Sequence, residues 1–162
     1  MKNFLAFVFS MFVFSSFAGE VAVMHGKLDE FTGSTVTYTA GPIYKNGKFE
    51  IVPEFGLARY DAWNDSLLQI YVTPKFRYRF TKRWSVDAGV GVSWINQKHL
   101  GDGQPFQRKF GSNFQFNDHV GLNFMITDHV GLGYRITHFS NASIKKPNPG
   151  VNMQQIVLTY TY

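Results

Sequence analysis

From about residue 34 to the C-terminus, apolar and polar residues alternate with a period of two. In 68–80 the even positions are Leu68, Ile70, Val72, Pro74, Phe76, Tyr78 and Phe80, and the odd ones Gln69, Tyr71, Thr73, Lys75, Arg77 and Arg79. In 84–94 the even face reads Trp84, Val86, Ala88, Val90, Val92 and Trp94, against Ser85, Asp87, Gly89, Gly91 and Ser93. Segments 114–126 and 130–138 repeat the pattern with Phe114, Phe116, Val120, Leu122, Phe124, Ile126 and then Val130, Leu132, Tyr134, Ile136. Successive side chains of a strand point to opposite faces, whereas a helix repeats every 3.6 residues, so the pattern predicts strands. Eight are expected, near 20–28, 33–43, 48–59, 68–80, 84–95, 113–126, 129–140 and 152–162.

A soluble sandwich and a membrane barrel both alternate, so length and face chemistry decide between them. These strands exceed the 5–6 residues usual in soluble sheets. The face opposite the apolar one carries Glu50, Glu54, Lys75, Arg77, Arg79, Asp87 and Arg135, which suits a polar lumen of compensating charges with the apolar face toward lipid. Trp84 and Trp94 lie ten residues apart on the apolar face, a projected ~25 Å on a tilted strand and the height of the band between aromatic girdles. Short turns are expected at Lys45-Asn46-Gly47, Thr81-Lys82-Arg83 and Thr127-Asp128, and longer loops at about 60–67, 96–112 and 141–151. The chain closes on Ile156, Leu158, Tyr160 and Tyr162. The expected fold is therefore all-β: an eight-stranded antiparallel transmembrane β-barrel, its interior filled by side chains.

Composition narrows the alternatives. The 162 residues include 17 Phe, 8 Tyr and 3 Trp but no Cys, and the mean hydropathy is −0.14. Thiolate metal sites, disulfides and cysteine nucleophiles are excluded. Lys2, the apolar run Phe4 to Phe14 and the small residues around Ser16 and Ala18 read as a cleaved signal peptide over 1–18, leaving a barrel domain over 19–162. Its removal lowers the formal charge of +5 by one. His25, His99, His119 and His129 are scattered, so no metal site is expected, and the dispersed basic residues give no nucleic-acid footprint.

Two residues break the greasy face. Parity along 129–140 turns His138 and Ser140 toward lipid at the end nearest a long loop. Positions i and i+2 of a strand share a face about 6.5–7 Å apart, and a Ser beside a His is the minimum for an activated nucleophile. The same spacing also fits a strand end emerging among lipid headgroups.

The stretch His138-Phe139-Ser140-Asn141-Ala142-Ser143-Ile144-Lys145-Lys146-Pro147-Asn148-Pro149-Gly150-Val151-Asn152 resembles the signature of the PagL family, the lipid A 3-O-deacylases. The resemblance implies an eight-stranded outer-membrane barrel with its active site on the outside wall, facing the outer leaflet. It implies hydrolysis of the ester-linked 3-hydroxyacyl chain at position 3 of lipid A, with no metal and no cofactor. His138 and Ser140 are then base and nucleophile, and the partners are lipopolysaccharide and outer-membrane lipid, with a homodimer as a candidate assembly.

The family's third residue, a Glu that orients the His, falls where this chain has Asn152. An amide can fix the imidazole tautomer but cannot stabilise an imidazolium by charge. Asp118 is a second candidate, because the tight turn at 127–128 brings it opposite or diagonal to His138 on the lipid-facing side. Asn141, Asn148 and the amides after Ser140 are candidate oxyanion donors. Lys145 and Lys146, with Lys98, Arg108 and Lys109, give the loop end a positive bias suited to a phosphorylated disaccharide. The alternatives are a non-catalytic small barrel serving adhesion or envelope integrity, with Asn152 marking a degenerate site, and an acyl-transfer enzyme on the same barrel.

Overall fold

The computed structural model describes residues 19–28, 31–101, 103–105 and 107–162; the expected leader, 1–18, lies outside them. Eight long strands form the wall: β1 (Glu20–Leu28), β2 (Phe31–Thr39), β4 (Phe49–Ala62), β5 (Asp65–Arg79), β6 (Trp84–Ile95), β9 (Phe114–Met125), β10 (Val130–Ser140) and β11 (Val151–Thr161). Three short strands accompany them: β3 (Tyr44–Asn46), β7 (His99–Leu100) and β8 (Arg108–Lys109). Each wall strand pairs antiparallel with its neighbours, β1 joins β11, and the β2–β4 pairing closes the cylinder. Closure leaves no unpaired sheet edge, the condition for strands to cross a bilayer.

The alternation is realised as inside and outside. Along β5 nearly every second residue is exposed, with Ile70, Val72, Phe76 and Tyr78 outward and Gln69, Thr73, Lys75 and Arg77 buried. Trp84 and Trp94 both stand on the outer face. The outward apolar residues span every strand pair of the closed wall, far more apolar surface than a soluble monomer exposes.

Turns and loops depart from expectation in three places. The predicted strand 33–43 ends at Thr39, because Gly41-Pro42 interrupts it and Pro has no N–H for the ladder, and β3 starts only at Tyr44, taking in Lys45 and Asn46 of the expected turn. The loop expected at 60–67 is a tight turn: β4 and β5 pair as far as Ala62 and Asp65, and Trp63 takes a left-handed φ of 51°. The 96–112 segment carries the β7–β8 hairpin, and Phe110 donates its N–H to Lys98 O at 2.8 Å.

The interior has two layers, where a polar lumen throughout was expected. In the middle, Glu54 is fully buried and accepts from Lys75 Nζ at 2.9 Å and from Arg135 Nη1 and Nη2 at 2.8 and 3.1 Å. Arg77 pairs with Glu20 at 2.9 Å beside them. Toward the loop end the filling is apolar: Phe31, Tyr60, Leu67, Ile95, Leu100, Phe110, Phe139 and Met153 form one buried cluster. Leu100 and Phe110 come from the long loop, which thereby plugs the barrel. Phe110 packs on Phe139 with ring centroids 5.7 Å apart, so the plug is anchored to the residue between His138 and Ser140.

Candidate active site

β10 leaves the wall at Ser140, and His138 sits two residues before its end. Its direct cross-strand neighbours are Asn152 on β11 and Asp118 on β9. All three face outward, so a polar row crosses three strands on a surface that also carries Val120, Leu122, Leu132, Ile136 and Ile156, with the Tyr134 hydroxyl paired to Gln154 beside them.

The hydrogen bond at this row is specific. His138 Nδ1 lies 2.7 Å from Asn152 Oδ1. An amide oxygen can only accept, so Nδ1 carries the proton and Nε2 is left with its lone pair free. The ring is also confined by Gly150. That residue has a left-handed φ of 63°, and a Cβ built on it would stand 2.8 Å from His138 Cε1. Asp118 forms no ion pair with His138 among the described residues; both line a shallow groove of about 280 Å³ on the outer wall. That groove runs over Val120, Ile136, Val90 and Ala88 to Phe76.

The loop after Ser140 is held by its own side chains. Asn141 O accepts from Ile144 N at 3.0 Å across Ala142 and Ser143, whose φ values of 50° and 61° are both left-handed. Such a conformation costs a non-glycine residue roughly 1–2 kcal/mol. Asn141 is fully buried; its N–H donates to Asn148 Oδ1 at 2.9 Å and its Nδ2 to Lys145 O at 2.7 Å. Asn148 is thereby fixed with its Nδ2 as the donor end, 3.5 Å from Ser143 Oγ. The Ser140 hydroxyl accepts from Ala142 N at 3.4 Å, and no hydrogen bond joins it to His138 among the described residues. Lys145 and Lys146 are exposed.

A second His–Ser contact was not anticipated. His25 Nδ1 and Ser34 Oγ lie 2.9 Å apart across β1 and β2, also on the outer face. No acceptor orients the other nitrogen of His25 among the described residues, which separates this pair from His138. Gly150, too, was legible only as part of the motif; its signal was a Pro-Gly pair directly before a strand. Among the described residues no group of three His, Cys, Asp or Glu could hold a metal ion.

Fold and surface together define an outer-membrane type of β-barrel carrying a polar row on its apolar outer wall. The family model of lipid A 3-O-deacylase (PagL) matches residues 31–161, and the chain belongs to that family. The lipid A deacylase PagL of Bordetella bronchiseptica (strain ATCC BAA-588 / NCTC 13252 / RB50) is 33% identical over 156 residues, covering 89% of this chain and 83% of that protein. Among solved structures, the outer membrane enzyme PagL superimposes with a TM-score of 0.70 at 19% identity, over 87% of this chain and 98% of that one. Neisserial surface protein A gives a TM-score of 0.58 at 11% identity, over 91% and 98% of the two chains. The Yersinia pestis outer membrane protein Ail gives 0.57 at 13%, over 91% and 100%. At these identities the structural matches establish the barrel alone.

Proposed function

We propose that this chain is an outer-membrane esterase that removes the 3-O-linked acyl chain of lipid A, with Ser140 as nucleophile and His138 as base. The observation that carries the reading is the 2.7 Å contact between His138 Nδ1 and Asn152 Oδ1 on the lipid-facing wall. It holds the imidazole in the tautomer a general base needs. Family membership supplies the substrate class, since the relatives are named for lipid A deacylation.

Ser140 Oγ adds to the ester carbonyl while its proton passes to His138 Nε2. The oxyanion takes donors from Asn148 Nδ2 and the amides after Ser140, with Asn141 as the support that aims Asn148. Collapse breaks the bond to the sugar 3-oxygen, which leaves with the proton from His138. Water, deprotonated by His138, then releases the 3-hydroxy fatty acid and restores Ser140. A missing His–Ser hydrogen bond is compatible with this sequence, because such contacts often tighten only with substrate bound. Asp118 supplies the negative charge that Asn152 lacks, and the groove it shares with His138 takes the acyl chain. Lys145 and Lys146 face the phosphorylated headgroup in the outer leaflet, and the leader over 1–18 directs export.

Mass spectrometry of lipid A from cells producing the protein tests this. The expected result is loss of one 3-hydroxyacyl chain that depends on Ser140 and persists in Ser34→Ala. Unchanged lipid A despite a folded barrel in the outer membrane favours the non-catalytic barrel, for which the amide at 152 is the supporting observation.

A further inference from the structure

The long loop contributes more than a plug. Gln107, Lys109, Pro147, Asn148 and Pro149 line a groove of about 500 Å³ at the loop end of the barrel. One wall is the returning side of the 96–112 segment, at Gln107 and Lys109, and the other is the loop that follows Ser140. The two are clamped by backbone: Gly111 donates its N–H to Pro147 O at 2.7 Å, and a Cβ on Gly111 would stand 2.5 Å from Lys145 O. Only glycine permits that approach. Phe110, next in chain to Lys109, is buried against Phe139. Lys109 is thus held at a fixed place relative to Ser140, although its own side chain is exposed.

Two unspent groups belong to residues that line this groove. Lys109 has no ion-pair partner among the described residues. Gln107 Oε1 is buried and accepts no hydrogen bond among them, a state that costs about 1–3 kcal/mol unless something donates to it. A cation beside a buried, unfilled acceptor suits a ligand carrying both an anionic oxygen cluster and an O–H or N–H donor. The third feature is Asn148, which lines the groove and is also the oxyanion donor proposed above.

We infer that Lys109 and Gln107 form a headgroup subsite that takes a phosphate and a neighbouring hydroxyl or amide of a phosphorylated amino-sugar glycolipid, in register with Ser140. The inference rests on the lipid A reading for its substrate class and adds the residues on the loop facing the motif. Lys109 takes the phosphate as a point charge, and the half-buried Gln107 side chain turns its unpaired Oε1 outward to accept from the sugar-borne donor.

The test is binding, so that it stands whether or not turnover is seen. The full-length mature barrel carrying Ser140→Ala, in detergent micelles, is titrated with bisphosphorylated lipid A, with chemically dephosphorylated lipid A and with inorganic phosphate. Lys109→Met is expected to weaken the bisphosphorylated lipid about tenfold, the worth of one charge-assisted contact, and to leave the dephosphorylated lipid unchanged. Gln107→Leu is expected to weaken both lipids. Lys82→Met, which removes the same charge at the opposite end of the barrel, changes neither. Equal losses for both lipids in Lys109→Met, or no loss for either, overturn the subsite. Inorganic phosphate binding as tightly as the phosphorylated lipid overturns the headgroup assignment. If wild-type protein hydrolyses no lipid A while Lys109-dependent binding persists, the deacylase reading fails and the subsite stands.

Discussion

Replacing Asn152 by Leu removes the hydrogen bond to His138 without creating a cavity, because the Asn152 side chain is exposed on the outer wall. With the imidazole neutral, as the proposed base requires, that bond contributes roughly 0.5–1.5 kcal/mol. In the proposed transition state the imidazole is cationic, and a hydrogen bond from a charged donor is worth about 1.5–3 kcal/mol. Because kcat reads only the difference between the two, about 1–1.5 kcal/mol, and 1.36 kcal/mol is a factor of ten, kcat is expected to fall roughly tenfold. Asn152→Glu is expected to move the rate the other way, since a carboxylate also stabilises the imidazolium by charge. Asp118→Asn completes the set. If Asp118 supplies the charge, its loss lowers kcat in the parent protein and matters less in the Asn152→Glu background, a coupling that a double-mutant cycle measures. The assay is release of 3-hydroxy fatty acid by purified barrel in micelles, with folding checked by gel migration without boiling. A kcat for Asn152→Leu within twofold of the parent refutes the orienting role. An Asp118→Asn protein that keeps full activity, while Ser140→Ala abolishes it, refutes the charge.

Gly150→Ala places a Cβ in a left-handed backbone and 2.8 Å from His138 Cε1, so kcat is expected to fall at least tenfold for a stability loss of roughly 1–2 kcal/mol; a fully active variant refutes the confinement. Glu54→Gln leaves Lys75 and Arg135 inside the barrel without their shared carboxylate, and loss of about 3–5 kcal/mol is expected. Urea unfolding followed by loss of compact migration checks this, and an unshifted midpoint refutes it.

The barrel wall was legible because its two faces meet different media. Where Lys75, Arg77 and Asp87 alternate with Phe76, Val86 and Ala88, inside and outside are written in the chain. The contrast disappears toward the loop end. There β4 sends Ala58, Tyr60 and Ala62 inward, and an apolar residue facing the plug looks the same as one facing lipid. The plug itself is invisible to periodicity, since β7 and β8 are two residues each and Leu100 and Phe110 find their partners on distant strands. The turn at Trp63 was hidden for a different reason. It uses a left-handed residue with no Gly to announce it, and the ring instead packs edge-on to Phe31 at 6.3 Å.

For the site, local parity reached His138 and Ser140 and turn arithmetic brought Asp118 opposite the histidine, while Asn152 came from the family resemblance; the pairing sets the two on either side of His138. What lay beyond reach was everything set by loop closure: the inward Asn141, the aim of Asn148 and the clamp from Gly111. The same division bears on the amide at 152. A carboxylate there, on an exposed lipid-facing position, would be desolvated more heavily than an amide. Asp118 is half-buried on the groove side of the same row. In the proposed arrangement orientation and charge are therefore borne by separate residues on opposite flanks of one imidazole. The neutral group sits on the more exposed flank, and the charged one on the half-buried side that borders the groove.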